Sequence, residues 1–406
     1  MTDIGNTRGI ARACAAGSAV RAVAANVSAL LFAPFARLYG FSAAWLGLLT
    51  AVGFGAQMCA DVLLLFLADR VGARRLACIA AALACAGLLA YGSAPLWSAG
   101  GGLYALAAAA TAVFAFAGGM LEVVLSNAAD SLPPGSGASI GSLHTVYARS
   151  QAALCLFLLV WFALFGLESW NGAVLTLAVL PAVAFALLLR APLRRRAREA
   201  PLRAAFRPFY IFALCAVFFG YGAEVVMNQW IAAFVSESLG SVAGGLLGCA
   251  LFALCLGAGG TLYVRRARTS YPALIAAALA AAAAYVAAAL SADLPALFCA
   301  AACGLFVGYL TPGVMEAAGA FLPRTGGWMF ASLAVAQDAG GAALPALAGA
   351  LAGEGSLRAS FLFLAAAPAA AALALACMAG IRARSLRRGR KGCRAGNFRL
   401  GPRFGG

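Results

Sequence analysis

The sequence predicts an all-α membrane protein, with twelve transmembrane helices arranged as two pseudo-symmetric six-helix halves. Three observations predict it. Of the 406 residues, 64% are apolar and only 10% charged, with a mean hydropathy of +0.93. That polar share is too small to cover the surface of a soluble domain of this size. Apolar runs long enough to cross a bilayer recur from one end of the chain to the other. The basic residues fall in short clusters between those runs: Arg70, Arg74 and Arg75; Arg194, Arg195, Arg196 and Arg198; Arg265, Arg266 and Arg268; and a tail from Arg382 to Arg403. Basic residues are placed this way when they set membrane topology.

The spans read in order as follows. The first, 13–35, follows Arg8 and Arg12 and is too long for the apolar region of a secretory signal, so it is read as a retained helix. Spans 43–67, 76–95, 101–128, 143–166 and 172–190 complete the first half. The second half holds 208–235, 241–263, 271–291, 295–318, 326–352 and 358–381. The ninth is nearly all alanine from Ala276 to Ala289. It still qualifies, because helices in lipid associate through small side chains.

With the N-terminus in the cytoplasm, the loops after spans 2, 6, 8 and 10 and the C-terminal tail are cytoplasmic too. Those segments carry nearly every arginine outside a span, and the opposite face keeps only Arg37 and Arg358. The chain divides into an N-terminal half, 1–190, a basic cytoplasmic linker, 191–207, a C-terminal half, 208–381, and a basic tail, 382–406, expected to be disordered and held at anionic headgroups. Phe116-Ala117-Gly118 with Leu132-Pro133 lines up with Phe306-Val307-Gly308 and Leu322-Pro323 at a constant offset, as a parallel repeat would.

Seven ionisable residues lie inside spans: Arg21, Asp61, Glu122, Arg149, Glu224, Glu316 and Asp338. At about 2.5–3.5 kcal/mol each at a helix centre, seven facing lipid would cost on the order of 20 kcal/mol. They must face a polar interior, pair, or stay neutral. Acids outnumber arginines among them, which favours a water-accessible path that admits a cation or a protonated acid.

Around these residues the helical spacing assembles candidate binding faces. Glu122 has Ser126 one turn on, with Asn127 beside it. Tyr221, Glu224 and Asn228 share a face of span 7, followed by Gln229 and Trp230; an aromatic ring beside an acid and amides suits a polyhydroxylated ligand. His144, the single histidine, shares a face of span 5 with Tyr147 and Gln151, and Gln57 shares one of span 2 with Asp61. Asp338 follows Gln337 in span 11. Arg21 and Asn26 of span 1 are out of helical phase with each other, and Arg21 is expected to pair with an acid. Glu122, Asp61 and His144 are the candidates for proton coupling.

Other chemistry is not encoded. There is no Walker A lysine motif, no CxxC pair among twelve cysteines, and too few histidines for a histidine-rich metal site. No cofactor, metal or nucleic-acid partner is expected. The partners expected are a small-molecule solute, protons and anionic lipid, with the chain acting as a monomer. Arginine in place of lysine (Lys391 alone) and abundant alanine fit a bacterium with a GC-rich genome, hence a multi-pass inner-membrane protein with both termini cytoplasmic.

Asp69-Arg70-Val-Gly72-Ala-Arg74-Arg75, between spans 2 and 3, resembles the loop signature of the major facilitator superfamily. The resemblance implies a gating role for Asp69, Arg70, Gly72, Arg74 and Arg75; the leading glycine of that signature falls on Leu65 here. The stretches Gly118 to Asn127, Leu143 to Tyr147, Gly222 to Trp230 and Trp328 to Gly341 are similar to a bacterial branch related to fucose-type sugar permeases. That resemblance implies a secondary transporter of a sugar-like solute working by alternating access. It also matches Glu122 to the acid that serves coupling and sugar binding in span 4, while span 1 lacks the second acid of that scheme. Asn26, Tyr221, Glu224, Asn228, Gln337, Asp338, Asn127 and Gln151 are expected beside Glu122 in the binding cavity. Two alternatives stand: an exporter of amphipathic compounds in the same fold, and a membrane receptor or scaffold that transports nothing.

Overall fold

A computed structural model describes residues 4–41, 43–67, 70–130, 132, 139–193, 208–266, 270–321, 326–354 and 356–396. The first half comprises α1 (Ile4–Leu30), α2 (Phe32–Tyr39), α3 (Ala43–Leu67), α4 (Ala73–Trp97), α5 (Gly100–Asp130), α6 (Ile140–Phe165), α7 (Trp170–Leu177) and α8 (Val179–Arg190). The second comprises α9 (Pro208–Leu239), α10 (Val242–Arg265), α11 (Tyr271–Leu290), α12 (Asp293–Phe321), α13 (Gly326–Glu354), α14 (Leu357–Leu364) and α15 (Ala366–Gly396). Among the described residues there is no strand.

Ten of these helices, with α7–α8 and α14–α15 each counted as one rod, are long and apolar enough to cross a membrane. Helices α3 and α13 occupy the second and eleventh expected spans, which brings the rods to twelve among the described residues. The surface is inverted relative to a soluble protein. Leu96, Trp97 and Leu290 are 74–77% exposed, while Asp61, Asp338, Glu224 and Glu122 are at most 5% exposed. Only a hydrocarbon solvent stabilises that arrangement.

Three features depart from the sequence expectation. The first span stops at Leu30; after it, α2 ends on Gly40, whose φ of 65° is the left-handed C-cap conformation glycine adopts without strain. The sixth and twelfth spans are broken at Ala178 and Ala365. Each break is followed three residues later by a proline, Pro181 and Pro368. A proline there cannot donate to the carbonyl four residues back, Leu177 or Leu364, and its ring clashes with it, so both rods kink at matching places. The tail expected to be disordered from 382 instead continues α15 as far as Gly396, since arginine, leucine and alanine are good helix formers. Most of the linker, 194–207, and the tail from 397 lie outside the described residues, as does Asp69.

The packing repeats between halves. Helix α5 packs on α1, α3 and α4, and its counterpart α12 packs on α9, α10 and α11. The contacts of α1 with α6 and α8 are matched by those of α9 with α13 and α15. Across the middle, α6 lies along α10 and α3 along α13, two contacts that exchange under the same repeat. The Phe116–Gly118 and Phe306–Gly308 stretches fall on the equivalent helices α5 and α12.

Glycine sets the closest seams. A Cβ at Gly308 would stand 2.2 Å from the carbonyl oxygen of Leu256, so α10 and α12 are in backbone contact there. In the first half, Trp170 is fully buried against Phe35 and Tyr91 and donates its indole N–H to Tyr39 at 3.0 Å.

Candidate functional site

The polar residues expelled from the lipid face converge on the plane between the halves. Helix α1 supplies Arg21 and Asn26, α5 supplies Glu122, and α6 supplies His144, Tyr147 and Gln151 at spacings that keep them on one face. Facing them, α9 brings Tyr221, Glu224 and Asn228, α12 brings Thr311, and α13 brings Gln337 and Asp338.

The centre of the site is an ion pair between Arg21 and Glu122 at 2.5 Å, with side chains 13% and 5% exposed. The pairing expected of Arg21 is therefore present. Glu122 also accepts from Gln337 Nε2 at 2.6 Å and, more weakly, from Gln57 Nε2 at 3.5 Å. The same Gln57 amide donates to Asp338 at 2.6 Å. The Arg21 guanidinium lies 4.8 Å from the centre of the Tyr147 ring, a cation–π geometry.

A second network is built of amides. Asn26 donates to the Tyr147 hydroxyl at 3.0 Å, Asn228 donates to Asn26 at 2.9 Å, and Gln151 donates to Asn228 at 2.5 Å. Arg21 and Asn26 thus meet on Tyr147 although their helical phases differ, because the long arginine side chain reaches round the helix. Glu224 accepts from Thr311 at 2.9 Å and lies 3.9 Å from His144 Nε2, too far for a hydrogen bond. His144 is buried rather than solvated at the membrane boundary.

Five of these contacts cross between the halves: Gln57 to Asp338, Gln337 to Glu122, Asn228 to Asn26, Gln151 to Asn228, and His144 beside Glu224. Three small adjoining voids run between them. The first touches Ser28, Gln57, Thr111 and Gln229. The second is lined by Arg21, Glu122, Ser126, His144, Tyr147, Tyr221, Glu224, Thr311 and Gln337. The third is lined by Asn26, Phe54, Tyr147, Gln151, Tyr221, Asn228 and Gln229. Tyr147 and Tyr221 border the last two and join them. Each void is of a size that holds a few water molecules.

Other expected residues are placed elsewhere. Ser126 rather than Asn127 faces the void, because four residues return a helix nearly to the same face and five do not. Asp338 reaches the site through Gln57, and Asp61 sits behind it, fully buried and bordering none of these voids. Arg149 is exposed and donates to Thr261. Glu316 accepts from Tyr263 at 2.8 Å, and Trp230 donates to the Pro345 carbonyl, which fixes α9 on α13. Arg70, Arg74 and Arg75 are exposed at the start of α4, and a Cβ at Gly72 would meet nothing within 4 Å. Thr311 was not anticipated; a threonine just before Pro312 in an apolar span was the available signal.

The lining offers two tyrosine rings, amides and a hydroxyl that both donate and accept, and a carboxylate paired with arginine.

Neither a model of a protein family nor a curated protein sequence matches this chain. Solved structures do. The chain is similar to FucP, described as a Major Facilitator Superfamily transporter in the outward conformation. The identity is 16%, the TM-score 0.68, and the match covers 91% of this chain and 98% of that one. It is also similar to the proton:xylose symporter XylE bound to 6-bromo-6-deoxy-D-glucose, at 12% identity and a TM-score of 0.77 over 91% and 95% of the two chains. A third match is the human organic anion transporter MFSD10, at 15% identity and a TM-score of 0.67 over 91% and 99%. In agreement with its repeated helix packing, this chain has the fold of the major facilitator superfamily.

Proposed function

We propose that the protein is a secondary active transporter that carries a small, neutral, sugar-like solute across a bacterial inner membrane by alternating access. One observation carries this reading: buried polar residues of the two halves bond to each other across the seam between the halves, around small voids that both halves line. Bridges of that kind hold the halves in one arrangement, and a solute that replaces them supplies the differential binding that moves the equilibrium to another.

The substrate class follows from the lining. Arg21 is already neutralised by Glu122, which disfavours an anion. The amides and tyrosines offer both donors and acceptors, as hydroxyl groups require. Glu122 is the leading binding residue, held in orientation by Arg21 and Gln337. An exporter of amphipathic compounds would be served by an apolar wall, and here the centre of the cavity is polar.

Coupling to protons is supported by charge. Four carboxyl groups, Glu122, Glu224, Asp61 and Asp338, are buried together with one guanidinium and one imidazole. Ionised in full, the group would hold at least two uncompensated negative charges at hydrocarbon depth, which protons must offset.

The test is uptake of radiolabelled neutral monosaccharides and polyols by proteoliposomes, with and without an inward proton gradient. Uptake of at least one, accelerated by the gradient, is expected. No uptake of any under either condition, with amphipathic cations transported instead, would replace this reading by the exporter.

A further inference from the structure

Helix α3 carries Gln57 and Asp61 one turn apart, both facing α13. The Gln57 amide occupies Oδ1 of Asp338. Among the described residues, no donor reaches Oδ2 of Asp338 or either oxygen of Asp61, and the two side chains are 1% and 0% exposed. Asp61 stands one turn along α3 from the Gln57 that bonds Asp338, so both carboxyl groups lie on the seam where α3 packs against α13. The charged and titratable groups around them are Glu122 from α5, Arg21 from α1 and Tyr221 from α9.

Arg21 cannot neutralise this pair, because its guanidinium is already in contact with Glu122. Two carboxylates placed near each other with no donor repel, in a medium that screens poorly. A single proton between them removes one charge and turns repulsion into a hydrogen bond, as in other carboxyl dyads. A metal ion is a worse occupant, since only three carboxyl oxygens are free here and the described residues hold no cluster of metal-ligating side chains.

We propose that Asp61 and Asp338 form a proton-binding site that bridges the two halves, holding one shared proton while α3 and α13 are in contact. When the seam parts, the hydrogen bond between the carboxyls is lost and the proton passes to water entering between the halves. Proton release and opening of this seam are then one event. The role in coupling rests on the transporter reading; the shared proton does not.

The experiment is infrared spectroscopy of the full-length protein in detergent, titrated from neutral to alkaline pH. A protonated-carboxyl C=O band is expected at neutral pH, shifted when the protein is grown with 13C-carboxyl aspartate. The same band should be absent from both Asp61→Asn and Asp338→Asn and kept in Glu224→Gln. A band that does not respond to aspartate labelling in the wild-type protein, where folding is not in question, would overturn the proposal. So would its disappearance when choline is replaced by sodium at constant pH, which would make the site a sodium site. Neither readout needs a transported solute, so a protein that moves no sugar leaves this outcome intact, and a missing aspartate band leaves the sugar test intact.

Discussion

The guanidinium of Arg21 and the carboxylate of Glu122, on α1 and α5 of the same half, form a buried ion pair whose free edge lines the central void. Their separation of 2.5 Å binds the two helices together, while Gln337 reaches the same carboxylate from the other half. The pair therefore belongs to both the stability of one half and the contact between two. Removing one partner strands a charge: Glu122→Gln or Arg21→Met should each cost about 3 kcal/mol in stability. The double variant should recover most of that in thermal unfolding of the purified protein, yet all three should lose solute uptake. A double variant whose loss equals the sum of the two single losses would show that the pair is not coupled.

Asn228 is the middle member of the amide chain that joins α1, α9 and α6. Asn228→Ala leaves an acceptor on Asn26 and a donor on Gln151 without this partner, a loss of about 1 kcal/mol. The melting temperature should change by only a few degrees, whereas uptake should fall at least tenfold, because the same amides are those offered to the solute. Uptake within twofold of wild type would remove this chain from the binding site.

The rods of the fold were legible wherever a long apolar run stood between arginine clusters, since insertion in lipid selects for composition and length alone. The breaks at Ala178 and Ala365 were equally readable from Pro181 and Pro368, and were missed because hydropathy is blind to backbone donors. The site was legible only in outline. Buried acids announced themselves by their cost, but Asp338 and Gln57 are 281 residues apart and their pairing is not a periodicity within any helix. Phase alone separated Arg21 from Asn26, and side-chain reach brought them back to Tyr147. Thr311 was hidden for a different reason: its hydroxyl also donates to the carbonyl of Val307, the ordinary behaviour of a threonine in any apolar helix.

Orientation gives an independent prediction. The positive charge flanking the spans predicts that both termini are cytoplasmic. A fluorescent protein fused after Gly406 should be bright in cells, and alkaline phosphatase fused at the same place should be inactive. The opposite pattern would place the C-terminus outside, and the orientation read from the positive charge would have to be withdrawn.

Gly340 tests whether α13 must lie flush against α9. A Cβ there would stand 2.1 Å from the carbonyl oxygen of Phe218, and one at Gly222 would stand 2.9 Å from the carbonyl oxygen of Gly340 itself. A backbone carbonyl cannot swing aside as a side chain can, so Gly340→Leu must push the helices apart. Overpacking of this kind costs about 1–3 kcal/mol. The displacement also carries functional weight, because Gln337 and Asp338 lie on α13 within a turn of Gly340 and bond to Glu122 and Gln57 in the other half. The variant should therefore melt lower and also lose uptake. Gly349→Leu sets the control: it lies further along α13, and its nearest neighbour is the edge of the Trp230 ring at 3.0 Å, a side chain that can yield. It should lower the melting temperature less and leave uptake nearly intact; equal losses of uptake in both variants would mean that α13 acts through general packing rather than through the placement of its two polar residues.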